Sequence, residues 1–382
     1  MIRRASQFPA LTIALLLAGC GGAAKDAPVE GAGATTTVTQ ATLDALPLVS
    51  LSEGGRVCLG DGKSHCPLQA AIANWVAIDR FVVWEPGRQV AAFRIGDTTG
   101  IVVGGFGEGA GRYSNPAAVA GTASGGMLVI DADSGRMLRY DPQGKFIDSK
   151  PLPPLTNGMF AWGFGGNLPV LQEISAVNDT APAILQLKVL NAAGDTAGRV
   201  ALKHPLPWLH LRGDVVSSAL PLFPTQPVYA FGEDGALVWS SAERFWFQRI
   251  NPAGKVEWTL SSDITGPPID SATISTRRKT IVGAGVPAVD IDSMVARTPA
   301  TYSAVSGILL SRDGRAVVAQ ALVPSSDSLR FVTISKSGVP TARFTLGKQV
   351  HPLLLSGDSL LVQRPGDGEL LEVRWLILPK GK

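Results

Sequence analysis

The sequence predicts an all-β fold, a β-propeller of about six four-stranded blades with a short helical insertion near 287–297. Three observations predict it. Short runs rich in Val, Ile, Leu, Phe and Trp are bounded by Gly, Pro, Asp and Asn, which is the mark of strands. A tight-turn motif recurs along the chain. Gly (43) and Pro (27) make up about 18% of the 382 residues, above the roughly 12% of ordinary chains, so turns are many.

The strand pattern holds from about residue 70 onward, for example in Phe81–Trp84, Ile101–Val103, Met127–Ile130, Ala236–Trp239 and Ala316–Ala319. The repeat is Tyr140-Asp141-Pro142-Gln143-Gly144-Lys145, then Leu190–Asp195, Ile250–Lys255 and Ile334–Val339. In each copy an apolar residue precedes Asp, Asn or Ser, and Gly follows three places later. A short polar side chain bonds its own backbone, and Gly supplies a left-handed position. The spacings are 50, 60 and 84 residues, and the last gap holds the helix and one more turn, Arg312–Arg315. Periods of this length in an all-β chain indicate propeller blades. Pro287 suits a first helical turn, and Ala288, Ile291, Met294 and Val295 share a face at helical spacing. The C-terminal strand, 369–378, should close the ring by pairing near the start of the body, which runs over 71–382.

Composition bounds the function. Hydrophobic residues are 45% and charged residues 17%, the reverse of a disordered chain. A net charge of +3, from 34 Lys and Arg against 31 Asp and Glu, excludes a nucleic-acid binder. Four His and three Cys leave few ligands for a transition metal.

Residues 1–19 carry Arg3 and Arg4 followed by a short apolar run, Ala10–Ala18, too short to span a membrane. These are the features of a secretory signal. Leu17-Ala18-Gly19-Cys20 resembles the lipobox of bacterial lipoproteins. The resemblance implies cleavage before Cys20 and lipidation there. Gly21, in place of an inner-membrane retention Asp, implies outer-membrane anchoring. Residues 20–46 are small and polar and read as a lipidated N-terminus and flexible linker. Residues 47–70 form a lead-in bearing Cys58 and Cys66. In an oxidising compartment the pair reads as a disulfide. The rival is a redox or metal site with His65, although the spacing does not match CxxC.

The segment 105–148 resembles an NHL-type propeller repeat. Its places are Gly107, Gly109 and Gly111, then Tyr113, Pro116, Ala117–Ala120, Leu128–Asp131, Ser134-Gly135 and Asp141–Gly144. The body as a whole resembles the six-bladed NHL and TolB-like propeller lipoproteins of bacterial envelopes, closely over 80–150 and poorly over 160–225.

Catalytic signatures are sparse. Gly105, Gly107 and Ala110 fit GxGxxA, but Arg112–Pro116 is no helix start, so a dinucleotide site is excluded. Asp131–Gly135 begins like an EF-hand, but position twelve is Pro142. Neither GxSxG nor HExxH occurs. His204 and His210 flank Trp208 and read as packing or surface, as does His351; Arg277-Arg278-Lys279 reads as a solvated edge. Trp239, Phe245, Trp246 and Phe247 read as a blade core.

The functional expectation is therefore a non-enzymatic binding module, a monomer anchored by lipid and presenting a propeller face to an envelope protein or glycan. Glu108, Arg112 and Arg136, on loops between blades, are the candidate binding residues. No catalytic or metal-ligating residue is assigned and no cofactor is expected, although calcium in a central channel is compatible with the spacing. The alternative is a lactonase-like hydrolase or lyase with a divalent metal in that channel. A role in outer-membrane protein assembly rests on fold analogy alone.

Overall fold

Inner strands such as Arg80–Trp84 and Met127–Asp131 are buried along their whole length, so the sheets that carry them pack against neighbours on both faces. The computed structural model describes residues 33–60, 65–67, 71–77, 79–85, 88–154, 159–175, 182–191, 198–207, 209, 211–212, 215–216, 221–283, 288–320, 326–366 and 370–379. Six antiparallel four-stranded blades form the ring. Blade 1 is Ile72–Ala77, Arg80–Trp84, Val90–Arg94 and Ile101–Val103. Blade 2 is Pro116–Gly121, Met127–Asp131, Arg136–Tyr140 and Phe146–Pro151. Blade 3 is Met159–Gly165, Leu168–Ser175, Ala183–Val189 and Arg199–Leu206. Blade 4 is Val228–Phe231, Leu237–Ser240, Phe247–Ile250 and Val256–Ser261. Blade 5 is Val305–Leu310, Ala316–Gln320, Ser328–Ile334 and Pro340–Gly347. Blade 6 is His351–Ser356, Ser359–Pro365 and Leu371–Ile377, completed by Ser52–Leu59.

That last strand closes the ring as the alternation at the C-terminus requires. It pairs antiparallel with Leu371–Ile377, from Ser52 opposite Ile377 to Leu59 opposite Glu372. Glu53 fastens the seam by bonding both Arg364 (2.6 Å) and Arg374. The first strands of successive blades lie against one another at five of the six junctions, all but that of blades 3 and 4. One apolar cluster fills each of the six blade interfaces. Trp239 and Phe247 are buried in two of them, as the aromatic run predicts.

The recurring motif is the turn between the third and fourth strands of blades 2, 4 and 5, and its copy at Leu190 follows the third strand of blade 3. Asp141 Oδ1 accepts from the Gln143 and Lys145 amides, and Asn251 Oδ1 accepts from those of Ala253 and Lys255. Ser335 Oγ accepts from Val339 N. The glycine of each is left-handed: Gly144 at φ 82°, Gly254 at 83° and Gly338 at 82°. Turns after the first and third strands share one side of the ring, the turn side. The remaining connections share the other, the loop side.

Two expectations need correction. The linker expected over 20–46 does not extend past residue 32, because Ala34–Thr37 adds a fifth, parallel strand to blade 4 opposite Trp258–Ser261. Helix α1 (Gln40–Asp44) follows, started by a capping box between Thr39 and Thr42 and burying Leu43. Pro47 O and Val49 N then bond Arg343 on the outer edge of blade 5. This strap covers edges that would otherwise expose unpaired backbone groups. The lead-in expected over 47–70 likewise supplies the blade 6 strand.

The helical insertion is also larger than expected. It joins blades 4 and 5 and holds α2 (Ser271–Gly283) as well as α3 (Ala288–Ala296). Within α3, Ile291 is buried. The basic run lies on α2, where no residue is buried and Arg278 pairs with Asp292.

Candidate functional site

Blade 1 ends after a three-residue strand, and Gly104–Asn115 must cross to the first strand of blade 2. The crossing is a folded device. Gly105–Phe106 and Arg112–Tyr113 pair in parallel, and Gly107 N donates to Tyr113 O (2.9 Å). Gly104, at φ 65°, lies against Tyr140, and an added Cβ would come within 2.5 Å of that ring. Tyr113 locks the base from inside the interface between blades 1 and 2. Its hydroxyl donates to Val103 O (2.7 Å) and accepts from Val90 N (2.8 Å), and burial pushes its pKa up to about 12. A rigid base thus presents Phe106, a phenyl ring left 46% exposed. Arg112 Nη1 donates to the Phe106 carbonyl (3.2 Å) and fixes the ring's backbone from outside.

The hairpin Asp131–Arg136 of blade 2 supports the far side of the crossing. Asp131 is almost wholly buried, which an anion tolerates only when well bonded. Its carboxylate accepts from Asn115 N (3.0 Å) and from the hydroxyls of Ser114 and Ser134, and Arg136 Nη2 lies 3.7 Å away. Asp133 Oδ1 accepts from Asn115 Nδ2 (3.0 Å). Arg136 also bonds Ser134 Oγ (2.9 Å) and the Arg112 carbonyl (3.4 Å).

Two of the three candidate residues are therefore in contact, Arg112 with Arg136. Glu108 sits exposed in the same crossing. Sequence reasoning missed Phe106, whose only signal is a large apolar residue within a glycine run. It placed Asp131 in the repeat and in a failed EF-hand match, and missed that its carboxylate is buried. Gly105, Gly107 and Ala110 lead into no helix, so the rejection of a dinucleotide loop stands. Cys58 and Cys66 form a disulfide, with Cα atoms 5.6 Å apart, on the loop side where blade 6 leads into blade 1. His204 packs against Trp239, with ring centres 5.5 Å apart. Cys20, residues 1–32, Trp208 and His210 lie outside the described residues. Among the described residues no three His, Cys, Asp or Glu side chains are grouped to hold a metal, and no helix is long and apolar enough to cross a membrane.

No protein-family model matches the chain, and no curated protein matches it. Solved structures do. A protein of Bacteroides fragilis assigned as exported matches over 91% of this chain and 99% of its own, with 10% identity and a TM-score of 0.50. A DUF4221 member from Bacteroides vulgatus covers 87% of this chain and 99% of its own, with 10% identity and a TM-score of 0.48. A streptogramin B lyase covers 86% of this chain and 97% of its own, with 10% identity and a TM-score of 0.39. The first likeness concerns architecture, and the chain has the fold of a six-bladed β-propeller.

Proposed function

We propose that this chain is an envelope lipoprotein of the NHL/TolB-like propeller kind that binds a protein partner, without catalysis, at the junction of blades 1 and 2. One observation carries the reading: Phe106 is exposed yet held by a bonded frame. An exposed aromatic ring on a flexible loop would lose much of its binding energy to ordering, whereas a pre-ordered one keeps it. Aromatic and arginine side chains are also those that dominate protein interfaces. Here Phe106 stands beside Arg112, with Glu108 in the same turn.

The lipobox-like Leu17–Cys20 supports lipid anchoring, since several acyl chains hold a protein stably where one does not. The strap enters blade 4 at Gly33, so residues 21–32 can span at most about 45 Å between anchor and ring. The direction of Ala34–Thr37 brings the chain in from the turn side of blade 4.

The test is in-cell photo-crosslinking from position 106, with affinity purification and mass spectrometry. One reproducible, near-stoichiometric envelope protein, lost in Phe106→Ala, is the expected result. Bystanders matched by an unrelated lipoprotein would overturn it. Crosslinks to glycan alone would change the partner class. Stoichiometric calcium or zinc in the purified protein, with stability lost on chelation, would favour the lactonase-like alternative. Acyl labelling abolished by Cys20→Ser tests the anchor separately.

A further inference from the structure

On the turn side, the interface between blades 1 and 2 ends in a cleft of about 300 Å³. Its apolar walls are Ala92, Phe93, Ile101 and Pro142. Two arginines stand in it. Arg80 and Arg94 are direct cross-strand partners in neighbouring strands of blade 1, so both side chains leave the same face of the sheet, toward blade 2. Like charges placed opposite each other destabilise a sheet. The cost is compounded here because Arg80 is only 9% exposed. A buried guanidinium is normally matched by a carboxylate. Yet Arg80 has a single side-chain hydrogen bond among the described residues, from Nη1 to the Pro142 carbonyl (2.5 Å), and neither arginine forms an ion pair there.

The cleft is also rigid. The blade 2 turn that supplies Pro142 and Gln143 is bonded through Asp141, and Gly144 presses it against the outer strand of blade 1, within 2.9 Å of Gly104 N through its carbonyl. The pair of cations is therefore held together by the fold, and neither forms an ion pair among the described residues, although Asp97 lines the same cleft.

We infer that this cleft binds a small monocarboxylate, its carboxylate received by Arg80 and Arg94 and its apolar body lying against Ile101 and Pro142. Planar guanidinium groups match a carboxylate through paired N–H···O bonds. Asp97 lines the same cleft and repels any second negative charge, which disfavours a phosphate dianion or a dicarboxylate. The volume lies at the small end of ligand sites and limits the occupant to a compact acid. A free organic acid and the C-terminal carboxylate of a peptide share this chemistry.

The experiment is calorimetric titration of the purified full chain at millimolar probe concentration. The probes are benzoate, its uncharged counterpart benzamide, N-acetylalanine as a peptide terminus, and inorganic phosphate. Benzoate or N-acetylalanine should bind at one saturable site, about tenfold or more tighter than benzamide, because a charged hydrogen bond is at stake. The tighter of the two acids identifies the source. Arg94→Gln changes an exposed residue and relieves the like-charge pair, so it should weaken that acid by about tenfold without lowering the thermal midpoint. Arg80→Lys keeps the charge and removes the paired geometry, and should weaken it as well. Equal binding of benzoate and benzamide, affinity unchanged in Arg94→Gln, tighter binding of phosphate, or no saturable binding by either acid would each overturn the assignment.

Discussion

Replacing Leu43 by Ala tests whether residues 34–46 belong to the propeller. Leu43 is 2% exposed and packs in one cluster with Val38, Phe245, Phe247, Trp258, Leu260 and Ala304. Leucine-to-alanine changes in such surroundings cost about 2–5 kcal/mol, the sum of lost transfer energy and a residual cavity. The five-residue α1 that carries Leu43 can settle inward, so the lower part of that range applies, about 2–3 kcal/mol. About 300 ordered residues unfold with an entropy near 0.6 kcal/mol/K, which converts the loss into a midpoint shift of roughly 4 °C. Differential scanning fluorimetry reads the shift, and limited proteolysis within 34–46 reads local release of the strap. Thr35→Ala, on the exposed side of the strap, should move the midpoint by less than about 1 °C. A midpoint and a cleavage rate both unchanged in Leu43→Ala would refute the docking and restore a free tether up to residue 46.

Three further outcomes follow from the same geometry. Burial raises the pKa of Tyr113 and of Tyr229 to about 12, so neither should ionise near pH 10 in the folded protein. The unfolded chain ionises first, so their contribution is full below pH 10 and falls as pH rises toward about 12; tyrosinate absorbance should appear together with unfolding. A tyrosinate signal at pH 10 from an intact fold would contradict this. At the ring seam, hydrogen bonds from Arg364, and less so Arg374, hold the Glu53 carboxyl below its ordinary 4.5. Its stabilisation is present above that value and fades as pH falls through the lowered one, so Glu53→Gln should flatten the acid limb of a midpoint-against-pH curve. Paired Cys58→Ser and Cys66→Ser changes should cost about 2.5 kcal/mol on the chain-entropy account, read as a lower denaturation midpoint that reductant no longer shifts.

The repeat was legible because its physics is local. Asp141, Asn251 and Ser335 each bond amides within four residues, and the following glycine takes the left-handed position, so a single copy carries its own signature. The strap was illegible because nothing local produces it. Ala34–Thr37 is small and polar, and it becomes a strand only because blade 4, more than two hundred residues later, offers a free parallel edge. Helix α2 failed for a related reason: Ser271–Gly283 buries no side chain and so shows no apolar face, although Asp270 accepting from Thr273 N (2.6 Å) marks its start. Of the candidate surface, the charges Arg112 and Arg136 could be read from the chain. The exposure of Phe106 could not, since it depends on the Arg112–Tyr113 pairing that lifts the ring out.

The two halves of the ring treat their charges differently, which supports the site proposed on one of them. On the turn side, Arg312 bonds Glu233 between blades 5 and 4, and Arg315 bonds Asp358 between blades 5 and 6 (2.9 Å). Exposed pairs of this kind contribute little individually. Arg249 is another matter: its side chain is 2% exposed and is held by Asp234 and Glu257, each at 2.6 Å, so deleting both acids would strand a buried charge. Blades 4–6 thus satisfy their buried charge internally and carry the strap on their rim. At the junction of blades 1 and 2, by contrast, buried Arg80 forms no ion pair among the described residues, Arg94 none either, and Phe106 is held out to solvent. Uncompensated charge and an exposed ring lower the stability of the free protein. They are retained at a gain only if something outside the chain completes them. Blades 4–6 accordingly close the ring, and the junction of blades 1 and 2 is where ligand and partner are to be sought.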